Sequence, residues 1–259
     1  MDRLRPIPFY RLASKKRSSA KNWQLGILLA FTAGYINAGG LFIVNRYTSH
    51  MTGIMSEAAD GLALGELRQA LLLTGFVFCF IAGAAATTVL VLWAKRFAMH
   101  AQFSLPLLVE AAWLVLIILL YFADAGADWL VPFTVASLCF LMGLQNALIT
   151  KASTAVVRTT HITGMSTDIG IELGRLIIGS DRTGQAASVT KVTLLAVVTM
   201  SFFLGGVIGA VLIGNSGAIG LVPVILLLAL VSLPALYQDA RTAQRRNRRM
   251  KRQAADPTG

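Results

Sequence analysis

Six long apolar runs dominate the sequence, at approximately Trp23 to Val44, Ala70 to Trp93, Phe103 to Ala123, Trp129 to Ile149, Val192 to Ile213 and Ala218 to Tyr237. Each is long enough to cross a hydrocarbon core of about 30 Å, which takes about 20 helical residues. Lipid offers no partner to a peptide group, so a spanning segment must be a helix or part of a closed barrel. The runs are continuously apolar instead of alternating, and about twice the length that a barrel strand requires, which argues against strands. Composition points the same way: 56% of the residues are hydrophobic and 14% charged, too few charges to clothe a water-soluble domain of 259 residues. The expected fold is an all-α membrane protein with six transmembrane helices in contact with a lipid bilayer. The first run is too long for a signal-peptide core and lacks a convincing small-residue cleavage site, so it reads as a retained span.

The formal charge of +11 raises the question of nucleic acid, but its placement answers it. Seven basic residues lie in Arg3 to Lys21 and seven more in Arg241 to Arg252. These charges flank the apolar runs, so no nucleic-acid partner is expected and contact of the basic tails with anionic lipid is. Six crossings put both tails on one side with Lys95, Arg96 and the stretch from Lys151 through Arg158, Arg182 and Lys191. The other side receives "DAGAD" at 124–128, "GNSGA" at 214–218, and a first loop whose Arg46 and Arg68 are outnumbered by Glu57, Asp60 and Glu66. An excess of Lys and Arg marks the cytoplasmic side, so both termini are expected there.

Two polar phrases interrupt the oily sequence, "TSHMTGIMSEAADGLALGEL" at 48–67 and "THITGMSTDIGIELGRL" at 160–176. They belong to a wider repeat. "FTAGYINA" at 31–38 and "FLMGLQNA" at 140–147 share Phe, Gly, Asn and Ala, "SHMTG" answers "THITG", and "LGEL" answers "LGRL", at offsets of 109, 111 and 109 residues. "FIAG" at 80–83 resembles "FLGG" at 203–206, and Pro106 pairs with Pro223. The domains read as a basic tail at 1–22, a first repeat at 23–123, a second at 129–237 and a basic tail at 238–259. Three crossings per repeat is an odd number, which turns the second copy upside down. Two inverted three-span repeats, each with a short re-entrant or broken-helix segment, are the expected layout.

The Asn-Ala of the first span, the "HMTG" phrase with its following Ser and "LALG", and the six-span layout resemble the YoaK family, bacterial multi-spanning membrane proteins of unknown function. The resemblance covers residues from about 23 to 237 and implies this layout in the bacterial cytoplasmic (inner) membrane. It brings no established substrate or reaction. Where the family signature usually continues with Asn after "TG", this chain has Ile54 and Met165.

Thr52 and Thr163 are good N-cap residues, Gly53 and Gly164 permit a close backbone approach, and the dozen residues after each suit a short helix ending near Leu67 and Leu176. Such a helix rises only ~20 Å, enough to return from mid-membrane to one surface. Irregular backbone at depth is tolerated only inside protein or around a wet cavity, so the two phrases are expected to frame one polar site. The candidate substrate-binding residues are Asn37, His50, Thr52, Gly53 and Ser56 in the first half and Asn146, His161, Thr163, Gly164 and Ser166 in the second. Asp60, Glu110 and Asp168 are the candidates for proton or ion coupling. Ordinary roles stand beside each: histidines and asparagines as internal hydrogen-bonding groups, acids solvated at an interface, and glycines as packing surfaces.

Cys79 and Cys139 sit inside apolar runs and form no metal motif, so no cofactor is expected. No "GxSxG", "HExxH" or "GxxxxGK[ST]" appears, and a doubled set of Ser, His and Asp lacks the asymmetry of a nucleophile, its base and its orienter. The chain reads as no enzyme but a small-solute permease or secondary transporter. A small-solute pore, or a structural or regulatory membrane protein without transport, is the alternative. Helix N-termini favour an anionic solute and the acids a cation or proton, which leaves the sign open. A homo-oligomer is open as well.

Overall fold

A computed structural model of the protein describes residues 19–97, 99, 102–124, 126–152, 160–178 and 188–255. Among the described residues the chain is helical, without strands: α1 (Ser19–Val44), α2 (Met51–Ala63), α3 (Leu67–Arg96), α4 (Ser104–Ala123), α5 (Leu130–Ala152), α6 (Ile162–Ile178), α7 (Val189–Ser216) and α8 (Val222–Ala255), with a 3-10 turn over Gly217–Leu221. The tail at 1–18, Arg158 and Arg182 lie outside the described residues. α8 continues as helix into the C-terminal basic segment as far as Ala255.

Five stretches are long and apolar enough to cross a membrane: Trp23–Val44, Leu67–Arg96, Ser104–Ala123, Leu130–Ala152 and Val189–Arg241. The last spans 53 residues. A single helix of that length would measure ~80 Å, far beyond a hydrocarbon core of about 30 Å. It contains two helices, parted at Gly217, whose φ of 58° lies in the left-handed region that glycine enters at little cost. The 3-10 turn folds back on the end of α7, so that a Cβ added to Gly220 would lie 2.6 Å from Ile213 Cα.

The helices pack in pairs: α1 on α7, α3 on α5, α4 on α8, with α2 on α3 and α6 on α7. The first two pairs are made by one device. A Cβ added to Gly34 would run into the carbonyl of Phe202, and one added to Gly205 into the carbonyl of Phe31. Gly83 meets the carbonyl of Phe140 in the same way, and Gly143 that of Phe80. Each crossing is thus a reciprocal Phe-x-x-Gly contact in which backbones touch, as small residues allow between membrane helices. The expected match of 80–83 with 203–206 is off by one residue, since Phe202 to Gly205 makes the contact. In "FFLGG" either Phe and either Gly fit the pattern, and only packing chooses between them.

Side-chain bonds pin the same pairs. Thr87 Oγ1 donates to the Leu144 carbonyl (2.8 Å), and Ser201 Oγ donates to the Ile27 carbonyl (3.0 Å). Pro106 and Pro223 both lie in the first turn of their helices, α4 and α8, where a missing N–H costs nothing. Outer faces expose Phe78, Val89, Phe122, Phe203 and Leu226. Helices apolar inside and out are solvated by lipid, which places the protein in the bilayer.

Candidate functional site

α1 stops at Val44, and Asn45 follows with φ 54°, a left-handed conformation that Asn tolerates better than most residues. The chain then runs without helix to His50. Its amide groups need partners, and Asn37, one helical face back on α1, supplies one: the Ser49 N–H donates to Asn37 Oδ1 (3.0 Å). The second half repeats the arrangement. The Thr160 N–H donates to Asn146 Oδ1 (3.4 Å), and Asn146 Nδ2 donates to Thr160 Oγ1 (2.6 Å). Both asparagines therefore hold the start of a polar phrase against the preceding long helix.

α2 and α6 begin at Met51 and Ile162, so His50 and His161 precede them and Thr52 and Thr163 sit one residue inside. The threonines are not N-caps, contrary to the sequence expectation. His50 occupies the N-cap position without a side-chain capping bond. The glycines have a different purpose from the one expected. A Cβ on Gly53 would strike the His50 ring, and one on Gly164 the His161 ring. Each imidazole folds back over the first helical turn, and "HMTG" and "HITG" need glycine to make room for it. Ile54 and Met165, which follow, are each 4% exposed and anchor the helix to the bundle. That is an apolar role where the family signature has Asn.

The end of the first of these helices also differs from expectation. α2 stops at Ala63 instead of near Leu67, because Gly65 (φ 81°) closes it with a left-handed cap in which the Glu66 N–H reaches the Gly61 carbonyl (2.7 Å) and the Gly65 N–H that of Leu62 (3.2 Å). α6 runs past Leu176 to Ile178, with Leu173 and Gly174 inside it. The "LGEL" and "LGRL" strings are therefore not structural equivalents.

Both polar phrases line one cavity of about 1060 Å³. That is slightly above the range usual for small-molecule sites, about 300–1,000 Å³. Asn37, Ser49, His50 and Thr52 contribute from the first half, and Asn146, Thr160, His161 and Thr163 from the second. The walls include Phe80 and Gly143 from the α3–α5 crossing and Phe202 from the α1–α7 crossing. Lys151 and Tyr47 also line it, and no carboxylate does among the described residues.

The remaining candidates lie elsewhere. Gly53, Gly164, Ser56, Ser166, Asp60 and Asp168 are on α2 and α6 but do not line the cavity. Asp60 is the tenth residue of α2 and Asp168 the seventh of α6, so the two acids are not equivalent either. The residue matching Asp168 is Glu57, which takes a two-armed pair from Arg46 (2.5 and 2.7 Å) and straps the irregular segment to α2. That pair holds the Glu57 carboxyl below, and the Arg46 guanidinium above, its ordinary range. Glu110 is fully buried on α4, away from the cavity, and is bonded by the side-chain amide of Gln145.

Sequence reasoning missed Glu172 and Gln145. Glu172 accepts from the Ser188 N–H (3.1 Å), Lys191 Nζ (3.2 Å) and Arg175 Nη1 (3.2 Å), and so clamps α6 to the start of α7. The backbone bond first, and the Lys191 bond after it, hold its carboxyl below the usual carboxylate range. A single Glu three residues before Arg175 gives little warning of a partner 19 positions on.

The sequence profile of a family described as protein of unknown function (DUF1275) matches residues 25–233. A UPF0700 transmembrane protein of Rhizobium meliloti (strain 1021) is 29% identical over 233 residues, which is 90% of this chain and 93% of that protein. No solved structure matches the chain.

Proposed function

This integral membrane protein belongs to the DUF1275 family of proteins of unknown function, and we propose that it is a small-solute permease or secondary transporter. The observation that carries the reading is the shared cavity: two phrases more than a hundred residues apart, each with a pinning Asn, a His and a Thr at matching places, line one space. An odd number of crossings per half makes the halves inverted repeats, with six crossings in all and α7 and α8 as separate spans. The reciprocal pairing of α1 with α7 and of α5 with α3 supports that symmetry. Both termini lie in the cytoplasm and the protein sits in the bacterial cytoplasmic membrane, a reading supported by the Lys and Arg distribution and by the family resemblance.

The solute is small and polar. Lys151, His50, His161 and the N-termini of α2 and α6 favour one that carries negative charge or many acceptors, and the acids that would favour a cation stand off the cavity. The two Phe-x-x-Gly crossings abut the cavity, so rocking of the pairs there opens it to one side or the other, and the protein is a carrier rather than an enzyme. The test is uptake of a mixed pool of small metabolites into liposomes holding the purified protein, read by mass spectrometry. One or a few solutes accumulate, exchange in counterflow, and are lost in Thr52→Trp and Thr163→Trp, which fill the cavity. Flux without saturation or counterflow makes the protein a pore. Absence of flux from a folded preparation returns it to a structural or regulatory role.

A further inference from the structure

Glu110, on α4, is buried to 0% exposure and has no cationic partner among the described residues. Its Oε1 accepts from Gln145 Nε2 on α5. The second hydrogen on Gln145 Nε2 goes to Thr32 Oγ1 on α1 (3.0 Å), and Thr32 donates its own hydroxyl hydrogen to the Leu29 carbonyl (3.0 Å). Thr32 must therefore accept from Gln145, which fixes which end of the amide faces it. Two oxygens of this chain of bonds are left over, Glu110 Oε2 and Gln145 Oε1, both buried and both without a hydrogen-bond partner among the described residues. Two acceptors cannot satisfy each other. One proton between them does.

We propose that Glu110 and Gln145 form a proton-binding site inside the bundle, where Glu110 in its acid form closes a two-armed pair with Gln145. The amide N–H donates to Oε1, and the acid O–H on Oε2 donates to the amide oxygen. An unpaired carboxylate is strongly disfavoured in an apolar interior, so loss of the proton forces water in or drives α4 from α5. The proton is then a latch between α4, which packs on α8, and the central helices α1 and α5. No other charge among the described residues substitutes for it. The titratable groups on the elements packed against α4 are Arg68, Cys79, Lys95 and Arg96 on α3, Cys139 and Lys151 on α5, and on α8 Tyr237, Asp239, Arg241 and the six basic residues from Arg245 to Arg252; the 3-10 turn has none, and Glu110 is bonded to none of Arg68, Cys79, Lys95, Arg96, Cys139, Lys151, Tyr237, Asp239 or Arg241. Tyr35, on α1, donates its hydroxyl to the Gly220 carbonyl. Among the described residues the site occurs once. At the repeat offset of 109 residues Thr32 answers to Leu141 and Gln145 to Ile36, so the second half has no copy. Gln145 does not line the cavity, so the inference stands independently of the solute reading.

Infrared spectroscopy of the purified protein in lipid at neutral pH is the test. Wild type shows the carbonyl band of a protonated carboxylic acid, Glu110→Gln loses it, and Gln145→Leu shifts it because the amide partner is gone. Should Glu110→Gln fail to fold, mapping of dicyclohexylcarbodiimide adducts on wild type decides, because that reagent takes protonated carboxyls in apolar surroundings. Glu110 is expected to be modified, and less so as pH rises; an unmodified Glu110 overturns the proposal. So does an unchanged acid band in Glu110→Gln, or a carboxylate band that responds to sodium, which would make the two oxygens ligands of a metal cation.

Discussion

Gly83 and Gly75 lie on the same helix eight residues apart and illustrate how differently one residue type can be used. At Gly75 an added Cβ meets nothing within 4 Å, whereas at Gly83 it collides with the Phe140 carbonyl. Gly83→Ala is expected to lower stability in detergent by about 1–3 kcal/mol, the usual cost of overpacking, since the obstacle is backbone and cannot swing aside. Gly75→Ala should leave melting unchanged or raise it slightly through helix propensity. Equal losses at the two positions would remove the crossing as the reason for Gly83. At this scale the sequence was informative where a residue type has one use. Asn37 and Asn146 stand out from apolar helices and do hold the polar phrases, and the matched His and Thr do come to one cavity. It was uninformative where a residue has many uses. Gly53 and Gly164 make room for a ring three positions back, which no local propensity records.

The short helices α2 and α6 show how similar strings come to end differently. "LG" closes α2 through a left-handed Gly65, but runs on as helix in α6, because α3 starts at once after the first and α7 only at Val189 after the second. Where each helix stops is a matter of what it must next reach, and a string comparison contains no such distance. What then ties α6 down is the Glu172 clamp. Its carboxyl is held below the ordinary range by the Ser188 N–H and by Lys191, so its contribution is full above the unfolded value of about 4.3 and is lost as pH falls through the lowered folded value. Melting of wild type and Glu172→Gln should therefore differ at neutral pH and converge in acid below the ordinary carboxylate range. A gap that persists there would show that the clamp is not electrostatic.

For the whole molecule, long apolar helices can be read from the sequence, but their packing partners cannot. Any apolar face fits any other on paper, and backbone contact between α1 and α7 is settled by shape across some 170 residues. The orientation rests on basic residues and is open to direct measurement. In a background without Cys79 and Cys139, cysteines introduced at Gly126 and Ser216, both exposed, should react with an impermeant thiol reagent only from outside the cell. Labelling from the cytoplasmic face alone would turn the protein over. The pairing scheme also dictates an order of assembly. During synthesis α3 can close on α5 once Gly143 has emerged, but α1 stays without its mate until Gly205 follows. For the time the ribosome takes to add those last sixty or so residues, the groove at Gly34 is open to lipid tails, and with it the half-built wall of the cavity. The cavity wall is therefore complete only once α7 has come back to pack on α1.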